Sequence, residues 1–249
     1  MKWDNKNWEE EDTKFAPKRK VNNKASHELH NIMGAFYSYK MNRVIEHESL
    51  NEWLFYSLLE LDNATKRYYP QPVTIDIPYI DEHGNKKTWS HISDVLVFRQ
   101  GMMPVLYQVK EKQEENKKNS FINKICSRYT KERGWGYCVI YPKKLSKTVL
   151  ENINFLMAFT KHRSGFDILE PKLIEQLSEM GSTTIIDLAE RLQIGINVMS
   201  LLPAIYHLIA TGVFYTSISK KINQSSEIKI IVNEGLLEGV LNEIYEIKK

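Results

Sequence analysis

Residues 92–110 read ISDVLVFRQGMMPVLYQVK, and the fold turns on how that stretch is parsed. Val95, Leu96 and Val97 form an apolar run, Gln100-Gly101 has turn chemistry, and PVLYQVK (104–110) is again rich in β-formers. Two neighbouring strands joined by a tight turn are therefore predicted. Side chains alternate along a strand, so Gln108 and Lys110 share a face. Asp94, sixteen residues before Lys110, lies where the preceding strand can set its carboxylate beside them.

Upstream, KKTWSHI (86–92) extends the first of these strands backwards, and EHGN (82–85) reads as a turn. VTIDIPYI (73–80) alternates Val73, Ile75, Ile77 and Tyr79, with Pro72 before it and Pro78 inside, which marks an edge or a bulge. An antiparallel meander of three strands follows from this pattern. Before it, Ser49 and Glu52 have the S-x-x-E spacing of a capping box. The helix they open carries Trp53, Leu54, Leu58 and Leu61 at helical spacing, with Phe55 and Leu59 widening the stripe. Residues 36–46, FYSYKMNRVIE, predict a short strand or ribbon. Residues 1–34 have few apolar positions and predict a loosely ordered arm.

Downstream, polar residues 111–119 open a helix to about Arg133, and GWGYCVIYP (134–142) reads as a strand buried on both faces. Another helix spans 146–160. The first half is thus α/β, a mixed sheet covered by helices on both sides. After a linker at His162–Gly165 the pattern changes. PKLIEQLSEM (171–180), the segment capped by Thr183, and INVMSLLPAIYHLIATG (196–212) predict three helices. VFYTSIS (213–219) and EIKIIVN (227–233) then pair as a hairpin, which is the winged-helix plan, and a helix over Gly235–Lys249 closes the chain. The expected divisions are an arm (1–34), an α/β domain (35–162) and a winged-helix-like domain (163–249).

Composition narrows the class without choosing within it. Hydrophobic residues make up 42% and charged residues 26% of 249, as in ordinary folded soluble proteins. No run of eighteen apolar residues is present, so no membrane span is expected. Two cysteines, Cys126 and Cys138, have neither a disulfide framework nor zinc-site spacing, which suits a cytoplasmic setting. The net charge of +3 permits a nucleic-acid partner without requiring one. Basic residues gather at Lys18-Arg19-Lys20 and between Lys110 and Arg133, where Lys124, Arg128 and Lys131 share a helix face. Such clusters neutralise phosphates or form a solvated surface.

Asp94, Gln108, Lys110 and Glu52 supply the parts of a phosphodiester cleavage centre. Hard oxygen ligands hold Mg²⁺, the ion polarises the phosphate and acidifies a water, and a cation stabilises developing charge. Asp94 and Glu52 are the carboxylates, Gln108 gives a neutral oxygen, the Val109 carbonyl lies within reach, and Lys110 is the cation. Each residue also has a plain structural reading. Asp94 can border a strand, Glu52 is explained as a cap, and Gln-Val-Lys fits an exposed strand face.

Ser38, Lys40, Arg43 and Val44, the Ser-x-x-Glu helix start, Ser-Asp-x-Leu-Val at 93–97, Gln-Val-Lys at 108–110, and Asn-Ile-x-Phe-Leu at 152–156 occur in one order. In that order they resemble the TnsA endonuclease subunit of heteromeric bacterial transposases, within the PD-(D/E)xK superfamily of restriction-endonuclease-like folds. The resemblance implies an active site on Glu52, Asp94, Gln108 and Lys110, so the glutamine in an acidic place is expected. It also implies Mg²⁺, with Mn²⁺ able to substitute, and 5′-strand cutting at transposon ends in double-stranded DNA. A DDE-type transposase subunit and an AAA+ ATPase regulator are the implied partners. Lys40, Arg43, Lys124 and Arg128 are the expected DNA contacts. The alternatives are a stand-alone restriction-type or junction-resolving nuclease, and a non-catalytic DNA-binding or scaffold module. His-Glu-Leu-His at 27–30 lacks the spacing and third ligand of a zinc site. The recognition-helix region 196–210 is almost wholly apolar, which favours packing or protein docking over base reading.

Overall fold

The computed structural model describes residues 3, 5–19, 33–110, 116–142, 146–192, 197–230 and 245–248. The first part of the chain forms helix α1 (Glu9–Lys14), strands β1 (Gly34–Ser38) and β2 (Arg43–His47), and helix α2 (Leu50–Leu61). Strands β3 (Thr65–Pro70), β4 (Thr74–Ile80), β5 (Lys86–Ile92), β6 (Val95–Arg99) and β7 (Val105–Val109) follow, then α3 (Lys117–Lys131) and β8 (Gly136–Pro142). The remainder is α4 (Lys147–Met157), α5 (Phe166–Met180), β9 (Ser182–Thr184), α6 (Ile185–Arg191), α7 (Val198–Ala210), β10 (Phe214–Tyr215), β11 (Glu227–Ile230) and β12 (Tyr245–Lys248). Two compact units result: Met1–Trp53 with Ala64–Lys143 and Leu241–Lys249, and Leu54–Asn63 with Lys144–Val240. The division falls after Lys143, earlier than the boundary at 162 read from the sequence, because α4 belongs with the second unit. Among the described residues no helix is long and apolar enough to cross a membrane.

In the first unit a five-stranded mixed sheet runs in the order β12-β8-β7-β6-β3. The expected pair forms as β6 and β7, antiparallel, with Val95 opposite Tyr107 and Leu96 opposite Leu106. β7 and β8 are parallel, and α3 supplies the crossover that a parallel pair requires. Cys138, Val139 and Ile140 of β8 are buried, as the apolar run predicts.

The three-stranded meander needs correction. The strand expected to run from 86 to 99 breaks at Ser93-Asp94. Its first part, β5, pairs only with β4 in a separate two-stranded ribbon. Its second part, β6, pairs with β3 and β7. The facing chain breaks at the same level. Gln71 sits between Pro70 and Pro72 with φ of 49°, in the left-handed region that costs a non-glycine residue about 1 kcal/mol, and neither proline can donate to a ladder. The kink is pinned by Gln71 N–H to the Asp94 carbonyl at 2.7 Å and Ser93 N–H to the Val73 carbonyl at 3.3 Å. Strand β3 went unread because Thr-Lys-Arg-Tyr-Tyr-Pro does not alternate, yet Tyr68 and Tyr69 are fully buried.

Part of the expected arm is folded. EEEDTK is too short and polar to be helical by propensity alone. Its flanks hold it: Trp8 and Phe15 are buried. With Trp3, Tyr69 and Phe98 they form a ring cluster whose centroids lie 5.3–6.2 Å apart. The helix expected over Gly235–Lys249 is also corrected, since Tyr245–Lys248 is strand β12, antiparallel to β8; residues 231–244 lie outside the described residues.

In the second unit, α5, α6 and α7 accompany a small antiparallel sheet in the order β10-β11-β9. Thr184, one residue beyond the expected Thr183, caps α6 by accepting from Asp187 N–H. Asn152 on α4 ties down the segment after β10. Its Nδ2 donates to the carbonyls of Ile218 (2.8 Å) and Lys220 (2.6 Å), and its Oδ1 accepts from Ile222 N–H (3.0 Å).

Candidate active site

Asp94 stands in the break that begins β6. Continuing the β6–β7 register one step beyond Val95–Tyr107 puts it opposite Gln108, so both side chains project from one face. Past Val95 the β7 backbone has no ladder partner on that side, and the carboxylate takes the place of one. Asp94 Oδ2 accepts from Val109 N–H at 2.6 Å and from Gln108 Nε2. Gln108 is buried, and its Oε1 lies 3.0 Å from His91 Nε2, at the end of β5. The amide is therefore clamped at both atoms, nitrogen to the carboxylate and oxygen to the imidazole.

Lys110 follows β7. Its N–H donates to the Ile140 carbonyl at 3.0 Å, extending the β7–β8 ladder by one rung and carrying the side chain onto the Asp94 side, where its charge acts on both Asp94 and His91. Glu52 comes from the first turn of α2. Ser49 Oγ accepts from Glu52 N–H at 3.2 Å, as the capping box predicts. Glu52 Oε2 accepts from Glu48 N–H at 2.7 Å, one residue earlier than the reciprocal bond of an ideal box.

Electrostatics mark these two carboxyls as unusual. Burial, then the Glu52 charge, pushes Asp94 up to about 7, against the pull of the Val109 N–H, Lys110 and Arg19. Burial also raises Glu52, with the Glu48 charge adding to it and the Glu48 N–H and Arg19 opposing it. Both carboxyls thus hold their protons more tightly than exposed acids do, burial outweighing the nearby cations. His91 is held below its ordinary value, first by burial and then by Lys110, with the Gln108 bond opposing.

The structure puts Asp94 and Gln108 in direct contact, while Glu52 and Lys110 act on Asp94 through their charges; two residues not singled out in sequence, His91 and Arg19, also bear on these groups. His91 was indistinguishable from any other residue of an alternating strand. Arg19 was visible only as part of a basic run; it pairs with Glu48, and its charge bears on both carboxyls.

The expected DNA contacts are dispersed. Arg43 lies over the Tyr69 ring, 5.6 Å from its centroid, and the Lys40 carbonyl accepts from Arg67. Lys124 and Arg128 are exposed on α3, with Arg128 3.9 Å from Glu132. Cys126 and Cys138 are buried and form no disulfide, and burial pushes the Cys126 thiol up to about 11, which keeps it protonated at neutral pH. The His-Glu-Leu-His motif lies outside the described residues.

Among the described residues no group of three or more His, Cys, Asp or Glu side chains could hold a metal. Glu52, Asp94, the Gln108 amide and the Val109 carbonyl could supply oxygen donors of the kind that hard cations take.

Residues 62–141 match the family model described as TnsA-like endonuclease N terminal, and residues 145–218 match the one described as TnsA endonuclease C terminal. Asp94, Gln108 and Lys110 fall inside the first match, and Glu52 precedes it. No curated protein matches the chain.

Proposed function

The chain belongs to the TnsA-like endonuclease family, and from that premise we propose that it is the Mg²⁺-dependent subunit cutting the 5′ strand at the ends of a transposon. Membership makes it a nuclease of the kind found in Tn7-type transposases, working on DNA beside a transposase subunit. The observation that carries the finer reading is the meeting of Asp94 with Gln108 across β6 and β7, under the charges of Glu52 and Lys110.

In this reading Glu52, Asp94, the Gln108 amide oxygen and the Val109 carbonyl hold the ion, and Mn²⁺ can replace Mg²⁺. A bound divalent ion supplies Lewis acidity to the phosphate and lowers the pKa of an attacking water. Gln108 offers its oxygen only when the amide turns over, and His91 Nε2 then changes from donor to acceptor. Lys110 orients the nucleophile and stabilises charge developing on the phosphate. Arg19 and Glu48 help to set the charge around Glu52.

The order α5-β9-α6-α7-β10-β11 supports a winged-helix reading of the second unit. Its α7 is buried along nearly all of Leu201–Ala210, leaving little to insert into a groove. Protein docking by this unit is the proposed role instead, with an AAA+ ATPase regulator as the proposed partner, in the cytoplasm.

The test is strand-specific cleavage of DNA carrying transposon ends, by the full chain with its DDE-type partner and Mg²⁺. Asp94→Ala should abolish 5′-strand cutting while 3′-strand cutting by the partner continues. Wild-type 5′ cutting by that variant overturns the assignment. Vigorous sequence-preferring cleavage without any partner favours a stand-alone nuclease instead.

A further inference from the structure

A cleft of about 500 Å³ in the first unit has no role in the mechanism above. Its lining includes Pro72–Thr74, the chain leaving the kink, and the cations Lys14, Lys18 and Arg133. We propose that this cleft holds the phosphate backbone of the DNA strand beside the scissile bond, with Lys14, Lys18 and Arg133 as its contacts. The inference rests on the endonuclease reading and extends it.

Continuity with the site is the first argument. Lys18 N–H donates to the Gln71 carbonyl at 2.9 Å, and Gln71 N–H donates to the Asp94 carbonyl at 2.7 Å. Two backbone hydrogen bonds therefore link the Lys18 main chain to that of the central carboxylate. The next residue, Arg19, already acts on both acids. Lys18 and Lys14 precede Arg19 along the same segment.

Charge is the second argument. Among the described residues no Asp or Glu lines the cleft. The nearest carboxylate to Arg133 belongs to Glu132, 3.9 Å away and exposed, a separation worth little in water. All three cations are exposed, and each charged head group has a contact within the protein. Lys14 Nζ lies 5.5 Å from the Phe15 ring centroid and the Arg133 guanidinium 3.5 Å from that of Tyr129; Lys18 Nζ donates to the Lys14 carbonyl at 2.9 Å. Exposed cations around an open trough with no acid match a chain of regularly spaced phosphates. Lys124 and Arg128, exposed on α3, are the competing surface.

The experiment measures binding of the full-length Asp94→Asn protein to a short fluorescent DNA duplex across a salt titration. Adding Lys14→Ala, Lys18→Ala and Arg133→Ala together should weaken binding at least about tenfold and flatten the log–log salt dependence by roughly two to three. The charge-conserving set Lys14→Arg, Lys18→Arg and Arg133→Lys should retain most of the affinity, which separates phosphate contact from a structural role. Lys124→Ala with Arg128→Ala should have a much smaller effect. Unchanged binding by the triple alanine variant overturns the cleft, as does an equal loss from the α3 pair. If the Asp94→Asn protein binds no DNA at all, the endonuclease reading falls and takes the cleft with it.

Discussion

Replacing Asp94 with asparagine separates the electrostatic load at the site from its packing. The substitution keeps the shape and an oxygen able to accept from Val109 N–H and Gln108 Nε2. What it removes is an ionisation raised from an ordinary 3.8 to about 7. Each pKa step is worth about 1.4 kcal/mol, so ionised Asp94 weighs on the folded state by roughly 4 kcal/mol. Solvent at this half-buried group reduces that to roughly 2 kcal/mol. The folded state holds the proton more tightly than the unfolded chain. The destabilisation is therefore absent below the unfolded value, grows as pH rises, and levels off above the folded value near 7. Melting in EDTA should show Asp94→Asn more stable than wild type at about pH 8 by roughly 4–8 °C. At about pH 4 the two should coincide. Mg²⁺ should raise the wild-type transition at the higher pH and leave the variant unmoved. A gain of equal size at both pH values would mean that the charge is not the cause, and a loss at the higher pH would reverse its sign.

Lys110→Met should cut cleavage at least about a hundredfold while calorimetry finds divalent-ion binding essentially intact, since the oxygen donors remain; loss of ion binding would make Lys110 structural. His91→Ala frees one end of the Gln108 amide and should lower both ion affinity and cleavage about tenfold. Unchanged ion affinity would show that the imidazole does not position the amide. Asn152→Ala strands two carbonyls and one N–H in the second unit and should cost roughly 3 kcal/mol, read by hydrogen exchange at residues 218–222; exchange at the wild-type rate would refute the clamp.

The meeting of Asp94 with Gln108 was legible in sequence, while much of the fold around it was not. Gln108 lies on β7, with Asp94 just before β6 and Lys110 just after β7, and strand alternation predicts that Gln108 and Lys110 share a face. Glu52 was legible as a cap, which the structure shows; its place at the site came from the resemblance. What escaped was set by tertiary contacts. Tyr68 and Tyr69 make β3 a core strand without alternating, and Trp8 and Phe15 hold a helix that its own residues would not keep. β12 occupies an edge of the sheet although its surroundings read as helical. The break at Ser93-Asp94 carries no glycine or proline of its own. Its cause is on the opposite strand, in Pro70-Gln71-Pro72, twenty or so residues away.

That break has a geometric consequence. His91 and Asp94 are three positions apart, an odd number, and on an uninterrupted strand they would point to opposite sides. Both nevertheless grip the same amide of Gln108, one at each end. The interruption resets the parity of the chain, so that a residue from the ribbon and a residue from the sheet come into phase. Any variant that healed the kink into one straight strand would have to give up one of the two, however faithfully every other residue were kept.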